Sequence, residues 1–171
     1  MSSKKSAGRH PGAATPAITA LQRAGVAFEV HSFDVGLDAA GERYGVQAAK
    51  ALGVDSDRVF KTLMVALPDG GLAACCVPVS GTLDLRAAAH ALGVKKVAMA
   101  DLAVAERRSG YVRGGISPLG QRQRHRTVVD SSALDGATMY LSAGQRGLDL
   151  ALAPADLVHA TVAVVAEIAD R

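Results

Sequence analysis

The sequence predicts an α+β domain in which helices pack outside a curved, barrel-like sheet that is mixed but mostly antiparallel. Three observations lead to this prediction. The chain has 171 residues, which suits one domain of ordinary size. Short helix-like and strand-like segments alternate along it without the strict βαβ period of a parallel sheet. Hydrophobic residues make up 49% of the chain but aromatic residues only 4%, so the core must consist mainly of Ala, Val and Leu.

The predicted domain covers residues 13–171 and follows a disordered basic tail at residues 1–12. The tail carries lysines and an arginine but has no apolar stretch of the kind found in secretory signals. No segment reaches the ~18 apolar residues of a membrane helix. The adjacent Cys75 and Cys76 would point to opposite faces of a strand, which favours two buried thiols in a reducing compartment. We therefore expect a cytoplasmic protein that makes no contact with a membrane.

The predicted helices are recognised by their capping residues. Thr15 is a good N-cap and Pro16 suits the first helical position, while Gly25 ends the same helix. Asp84 and Asp101 are better explained as N-caps than as catalytic acids. The five predicted helices cover residues 16–25, 44–52, 85–92, 102–110 and a short stretch from 154.

Apolar runs, alternating or continuous, predict the strands. The turn residues Pro68-Asp69-Gly70-Gly71 separate two such runs and indicate a hairpin. Residues 36–41 and 111–121 are predicted loops, and residues 162–168 are either a closing strand or more helix. The predicted strands cover residues 26–33, 59–67, 72–79, 97–99, 127–130, 138–142 and 148–152.

Lys61 stands inside an otherwise apolar strand segment. The two-residue period of a strand places it on the same face as Leu63 and Val65. Because burying an unpaired charge is costly, this lysine must reach solvent or meet an anion. The pattern leaves two interpretations open. Lys61 is either an edge lysine at the start of the strand, or a cation on a pocket floor that holds a phosphate or polarises a carbonyl.

Residues 114–120, called the glycine loop below, predict a loop of defined shape. The three glycines allow backbone N–H groups to approach a ligand, and the proline fixes φ. Such a loop either forms a nest for an anion or is a plain surface turn. It lacks the lysine and spacing of a P-loop, and Ser117 has no nearby His or Asp for a triad. The segment reads Gly114-Gly115-Ile116-Ser117-Pro118-Leu119-Gly120.

A third loop lies between two predicted strands, with the sequence Ser142-Ala143-Gly144-Gln145-Arg146-Gly147. It is either a long hairpin turn or, together with Lys61 and the glycine loop, part of one cleft. Phe33 and Tyr44 are among the few aromatic residues; they either pack in the core or stack on a nucleobase. The histidines lack metal-ligand spacing, so neither a metal nor another cofactor is expected.

Residues 107–126, called the arginine segment below, contain six arginines and no acidic residue. A solvated face usually mixes charges of both signs, so this segment favours a polyanionic partner. The formal net charge of +3 is weak support on its own. The arginines are Arg107, Arg108, Arg113, Arg122, Arg124 and Arg126.

Taken together, these features resemble the YbaK family, which comprises bacterial Cys-tRNA(Pro) deacylases related to the editing domain inserted in bacterial prolyl-tRNA synthetases. The resemblance runs from about Thr15 to the C-terminal region, and the order and spacing of the matching stretches are specific. These stretches are Val59-Phe60-Lys61-Thr62-Leu63, Leu83-Asp84-Leu85, Lys95-Lys96-Val97, Met99-Ala100-Asp101, Gly110-Tyr111, the glycine loop and Arg146-Gly147-Leu148.

The resemblance implies a monomer that hydrolyses the aminoacyl ester on the 3′-terminal adenosine of tRNA. The family's essential lysine falls on Lys61, and its glycine-rich substrate loop falls on Gly114 to Pro118. In this family the substrate cysteine's own thiol attacks the ester carbonyl, so neither a nucleophile of the enzyme nor a cofactor is required. The other expected substrate-binding residues are Phe33, Tyr44, Thr62, Gly144, Arg146 and Gly147.

We therefore expect a trans-editing enzyme for Cys-tRNA(Pro), whose partners are aminoacyl-tRNA and, transiently, prolyl-tRNA synthetase. The basic tail and the residues Arg113, Gln121 and Arg122 depart from the Cys-specific pattern. A deacylase for another misacylated tRNA, such as Ala-tRNA(Pro), is accordingly the first alternative. A non-catalytic module that holds tRNA or a synthetase is the second, and a small-molecule binding protein is the third.

Overall fold

A computed structural model describes residues 14–34 and 42–171, and within these ranges it contains five α-helices and ten strands. Two short 3-10 helices, Ser56–Arg58 and Ser131–Asp135, complete the regular structure. The α-helices are α1 (Pro16–Arg23), α2 (Glu42–Leu52), α3 (Leu85–Leu92), α4 (Leu102–Ser109) and α5 (Pro154–Thr161). The strands are β1 (Glu29–Ser32), β2 (Val59–Ala66), β3 (Leu72–Pro78), β4 (Thr82–Leu83), β5 (Ala98–Met99), β6 (Arg126–Asp130), β7 (Met139–Gln145), β8 (Leu148–Leu152), β9 (Val164–Ala166) and β10 (Ala169–Asp170).

Most of the strands join one mixed sheet in the order β1-β8-β7-β2-β3-β6-β9, with β5 added at the far end of β2. Strands β4 and β10 form a separate antiparallel pair. Five of the eight pairs within the described ranges are antiparallel and three are parallel. The predicted α+β class with a mixed, mostly antiparallel sheet is confirmed. The strand order is open, and no pairing among these residues closes the sheet into a barrel.

One edge of the central strand β2 changes partner along its length, and this change leaves part of that edge unpaired. Residues 59 and 60 pair with β7, whereas residues 65 and 66 pair with β5. Along its other edge β2 pairs with β3 over the whole range from Phe60 to Ala66. Residues 61–63 therefore have a strand neighbour on one side only, and a gap opens between β7 and β5.

The two faces of the β2–β3 hairpin pack in different cores. Cys75 and Val77 pack with Val65 and helix α3, while Cys76 packs with Phe60 and with residues of α1 and α5. The predicted placement of the two adjacent cysteines on opposite faces is confirmed. Both thiols are free and fully buried, and burial raises the pKa of each to about 12. Such thiols are protonated and inert at neutral pH.

The predicted caps are present. The Thr15 side chain accepts a hydrogen bond from the Ile18 N–H at 3.2 Å and also donates to the carbonyl of Ala143. The carboxylates of Asp84 and Asp101 accept from backbone N–H groups three residues further on, at 3.0 and 3.1 Å. These side chains satisfy helix ends, as the sequence indicated.

Some element boundaries differ from the prediction. Strand β1 begins at Glu29 rather than at residue 26, because the Val26 N–H donates to the Leu21 carbonyl and prolongs the end of α1. Helix α2 begins two residues earlier than predicted, at Glu42. For residues 162–168 the sequence allowed either a closing strand or more helix. The structure contains a strand there, β9, which runs parallel to β6. The predicted tail (1–12) and the predicted loop at 36–41 lie outside the described residues.

The helices within the described ranges are all short. None of them has the length and the apolar composition that crossing a bilayer requires.

Candidate active site

A cavity of about 480 Å³ opens where β2 lacks a strand neighbour. This volume lies in the range that holds a small organic ligand. The floor comes from β2, and the walls come from α2, α4, the glycine loop and the paired strands β7 and β8. The lining residues include Tyr44, Lys61, Thr62, Met64, Met99, Leu102, Arg113, Gly114, Ile116, Ser142, Arg146 and Asp149.

Lys61 and Gly114 line the same cavity, so the structure brings together the lysine and the glycine loop that the sequence singled out. Lys61 is partly buried and lies in the gap between β7 and β5. Thr62 also lines the cavity, and its Oγ1 lies 3.7 Å from the buried Cys76 Sγ. Because Lys61 lines this cavity and is only partly buried, a lysine can occupy a central strand without its charge being enclosed in the core.

Only part of the glycine loop reaches the cavity. Gly114 and Ile116 line it, whereas Gly115, Ser117 and Pro118 are buried behind them. A Cβ on Gly115 would lie 3.1 Å from the backbone of Gln145, so this glycine permits close contact with the β7–β8 turn. Of the five loop residues expected to contact substrate, Gly114 and Ile116 are thus the two that line the cavity.

Ser117 has a structural role in the loop. Its side chain is fully buried, and its Oγ accepts a hydrogen bond from the Leu119 N–H at 3.3 Å. The Gln121 amide donates to the Ser117 carbonyl at 2.9 Å. These contacts hold the backbone of the loop and leave the hydroxyl no access to the cavity.

Tyr44 and Arg146 form one polar wall of the cavity. The Arg146 guanidinium carbon lies 4.6 Å from the centroid of the Tyr44 ring, which is a cation–π contact. The Gly147 N–H donates to the Tyr44 hydroxyl at 2.7 Å. Burial raises the Tyr44 pKa and the nearby Asp149 adds to this rise, so the hydroxyl keeps its proton and can donate.

Phe33, Gly144 and Gly147 support this wall from outside the cavity. The Phe33 ring centroid lies 6.5 Å from that of Tyr44, and the Phe33 N–H donates to the Gly147 carbonyl at 2.9 Å. Gly144 has φ of +100°, and a Cβ there would lie 2.7 Å from the Tyr111 ring. These three expected contact residues are not among the residues that line the cavity.

Asp149 is a cavity residue that the sequence reasoning missed. It is only 4% exposed, and burial raises its pKa from an ordinary value near 3.8 to about 7. It faces Ser142 across the β7–β8 ladder, and Ser142 also lines the cavity. A signal was present, because an aspartate interrupts the otherwise apolar strand Leu148–Leu152. A carboxylate held in such surroundings is a candidate for a functional site.

The six arginines differ in their contacts. Arg108 donates to the Gly70 carbonyl at 2.8 Å, and Arg126 donates to the Leu92 carbonyl at 2.8 Å. Arg113 lines the cavity and is exposed to solvent. Arg107, Arg122, Arg124 and Arg126 are exposed as well.

The site thus combines a lysine in a gap of the central strand with a glycine-rich loop, and both line one cavity. The chain belongs to the aminoacyl-tRNA editing domain family, whose model matches residues 43–160. The resemblance found in the sequence is confirmed, and so is the predicted activity class, hydrolysis of aminoacyl-tRNA.

Individual relatives agree with this assignment. The chain is 36% identical over 123 residues to "Putative Cys-tRNA(Pro)/Cys-tRNA(Cys) deacylase EbsC" of Enterococcus faecalis (strain ATCC 700802 / V583), covering 72% of this chain and 75% of that protein. The solved structure of hypothetical protein APE2540 has a TM-score of 0.81 at 26% identity, over 91% of this chain and all of that one. A structure described as "a putative trans-editing enzyme for prolyl tRNA synthetase" has a TM-score of 0.78 at 20% identity. The match covers 91% of this chain and 96% of that one, and it supports the fold.

Proposed function

We propose that the chain is a trans-editing deacylase that hydrolyses Cys-tRNA(Pro). The observation that carries this proposal is the cavity between Lys61 and Gly114 in a member of the editing family. The similarity to EbsC, whose name specifies Cys-tRNA(Pro) and Cys-tRNA(Cys), supports cysteine as the amino acid removed.

The cavity residues divide into roles that suit an esterified adenosine. Lys61 orients the 3′-terminal nucleotide and neutralises its phosphate, while backbone N–H groups at Gly114 hold the ester carbonyl or the ribose hydroxyls. The Asp149 carboxylate accepts the α-ammonium group of the esterified amino acid. Tyr44 and Arg146 close the wall beside Asp149. These roles rest on the lining positions and on the charges of the side chains.

The chemical step uses the thiol of the substrate itself. The cysteine sulfur, as a thiolate, attacks the ester carbonyl carbon and the bond from that carbon to the ribose oxygen breaks. The ribose oxygen takes up a proton and the cysteine leaves as a thiolactone, which water then opens to free cysteine. The buried position of Ser117, and the pKa of about 12 of the buried Cys75 and Cys76, support a mechanism without a nucleophile of the enzyme.

The remaining expectations form part of the same proposal. The protein acts as a monomer in the cytoplasm, where charged tRNA is present. A transient complex with prolyl-tRNA synthetase selects the tRNA, because contacts to the phosphate backbone alone carry little sequence information.

A deacylation assay over a panel of charged tRNAs tests the proposed function. We expect Cys-tRNA(Pro) to be hydrolysed well above the uncatalysed rate and Ala-tRNA(Pro) much more slowly, because alanine has no thiol to attack the ester. Faster hydrolysis of Ala-tRNA(Pro) would contradict the substrate-thiol mechanism and favour the first alternative. Binding of tRNA without turnover of any member of the panel would favour the non-catalytic module.

Affinity for tRNA is expected to fall steeply with salt. If the exposed arginines of the arginine segment contact about three phosphates, raising the salt from 50 to 200 mM weakens binding by about 40-fold. Replacing Arg107 and Arg124 by Gln should make this dependence shallower, whereas Arg23→Gln, an exposed arginine on α1, should leave it unchanged. Filter binding at four salt concentrations measures these slopes, and an affinity independent of salt would contradict the contact.

A further inference from the structure

The cavity continues into an apolar rim that the proposed roles do not use. Met99 is 50% exposed and Leu102 is 43% exposed, and both line the cavity. Met99 ends β5 and Leu102 begins α4, so the two side chains flank the opening at the β5 side of the gap in β2. Large apolar side chains that remain exposed at the mouth of a pocket are typical of a ligand contact.

A positive charge lies beside this rim. Arg113 lines the same cavity and is exposed, and its backbone N–H donates to the Glu106 carboxylate at 3.3 Å. Glu106 is four residues from Leu102 on α4, so Arg113 is held next to the face of the helix that carries Leu102. The acidic Asp101 at the start of α4 accepts a hydrogen bond from the Val104 N–H. An apolar surface joined to an arginine suits a ligand with a flat apolar part and a phosphate.

We propose that Met99 and Leu102 contact the base of the unpaired nucleotide that precedes the terminal adenosine of tRNA, with Arg113 beside its phosphate. The inference rests on the proposed function, which places the terminal adenosine deeper, near Lys61 and Gly114. Unpaired bases expose their faces, and the methionine sulfur makes favourable contacts with aromatic rings. The side chains of Met99 and Leu102 carry no hydrogen-bonding group that would read one base against another, so their contact is independent of base identity.

The test compares two substrates that differ only in the upstream nucleotides. Hydrolysis of Cys-tRNA(Pro) and of cysteinyl-adenosine is measured for the wild type and for Met99→Ser, Leu102→Ser and the double variant. Leu134→Ser is the matched control, because Leu134 is 52% exposed and does not line the cavity. Affinity for uncharged tRNA is measured in parallel, so that the contact is tested even without turnover.

For the double variant we expect KM for Cys-tRNA(Pro) and Kd for uncharged tRNA to rise about 10-fold, the order found when one stacked base loses its support. We expect kcat on Cys-tRNA(Pro), and every parameter on cysteinyl-adenosine, to stay within about twofold. An equal loss on both substrates would assign the rim to the terminal adenosine and overturn the inference. Unchanged values, or an equal effect of Leu134→Ser, would also overturn it. A wild type that binds tRNA but hydrolyses neither substrate defeats the proposed function alone.

Discussion

Lys61→Ala is expected to fold normally and to lose deacylation of Cys-tRNA(Pro) by about 100- to 1000-fold, the loss found when one preorganised electrostatic group is removed. Lys61 is the lysine that lines the cavity among the described residues, and Gly114 lines the same cavity. Its position in the gap of β2 means that truncation leaves the pairing with β3 intact, because that pairing uses the backbone. Single-turnover rates measure the loss of deacylation, and thermal unfolding of the same preparation measures whether the variant folds normally.

A matched control is available on a neighbouring helix. Lys50→Ala removes the same charge from the exposed face of α2, away from the cavity lining, and should leave the rate within about twofold. Lys61→Arg keeps the charge but changes its shape and hydrogen bonding, so partial activity is expected. Full activity of a folded Lys61→Ala protein would contradict the role proposed for Lys61 in deacylation.

The parts of the fold that depend on short-range signals could be predicted. Caps such as Thr15, Asp84 and Asp101 are found from neighbouring residues, and all three accept the expected hydrogen bonds. The hairpin turn between β2 and β3 is likewise local, and its Asp69 accepts a hydrogen bond from the Gly71 N–H at 2.8 Å. A period of two was enough to place Cys75 and Cys76 in different cores.

The site depends on contacts that are distant in sequence, and there prediction fell short. The gap that accommodates Lys61 exists because β7 and β5 pair with opposite ends of β2, a register that no local pattern specifies. Which residues of the glycine loop face the cavity depends on its contact with the β7–β8 turn near Gln145. Strand period alone would place Asp149 on a face but would not show that this face borders the cavity.

For the arginine segment, too, the sequence did not show which side chains make contacts within the fold. Its composition indicated a polyanion contact, but Arg108 and Arg126 bind backbone carbonyls of the β2–β3 turn and of the end of α3. These two arginines stabilise the fold, since each satisfies a carbonyl that would otherwise need water. The salt dependence of tRNA binding should therefore reflect fewer charges than a count along the chain suggests.

The buried carboxylate of Asp149 makes both stability and activity depend on pH. Its pKa is about 7 in the folded chain, whereas an aspartate in an unfolded chain has a pKa near 3.9. Between these values the folded state holds the proton more tightly, so this group stabilises the fold less and less as pH rises from 4 to 7. Each pKa unit corresponds to about 1.4 kcal/mol. The resulting decrease in the free energy of unfolding is therefore at most on the order of 4 kcal/mol.

Asp149→Asn should therefore be more stable than the wild type above pH 7, and the difference should vanish near pH 4, where the aspartate is protonated like the neutral amide. The same change should lower kcat/KM for Cys-tRNA(Pro) by at least about 10-fold at pH 8, because the amide cannot pair with the α-ammonium group. The ratio of wild-type to variant kcat/KM cancels the ionisation of the substrate thiol. It should rise as Asp149 ionises near pH 7, and it should fall again as the α-ammonium group loses its proton at about pH 8. Urea unfolding and single-turnover rates at pH 5 to 8.5 measure both effects. A ratio that does not change with pH, combined with the expected gain in stability, would show that Asp149 is buried for structural reasons and does not bind the substrate.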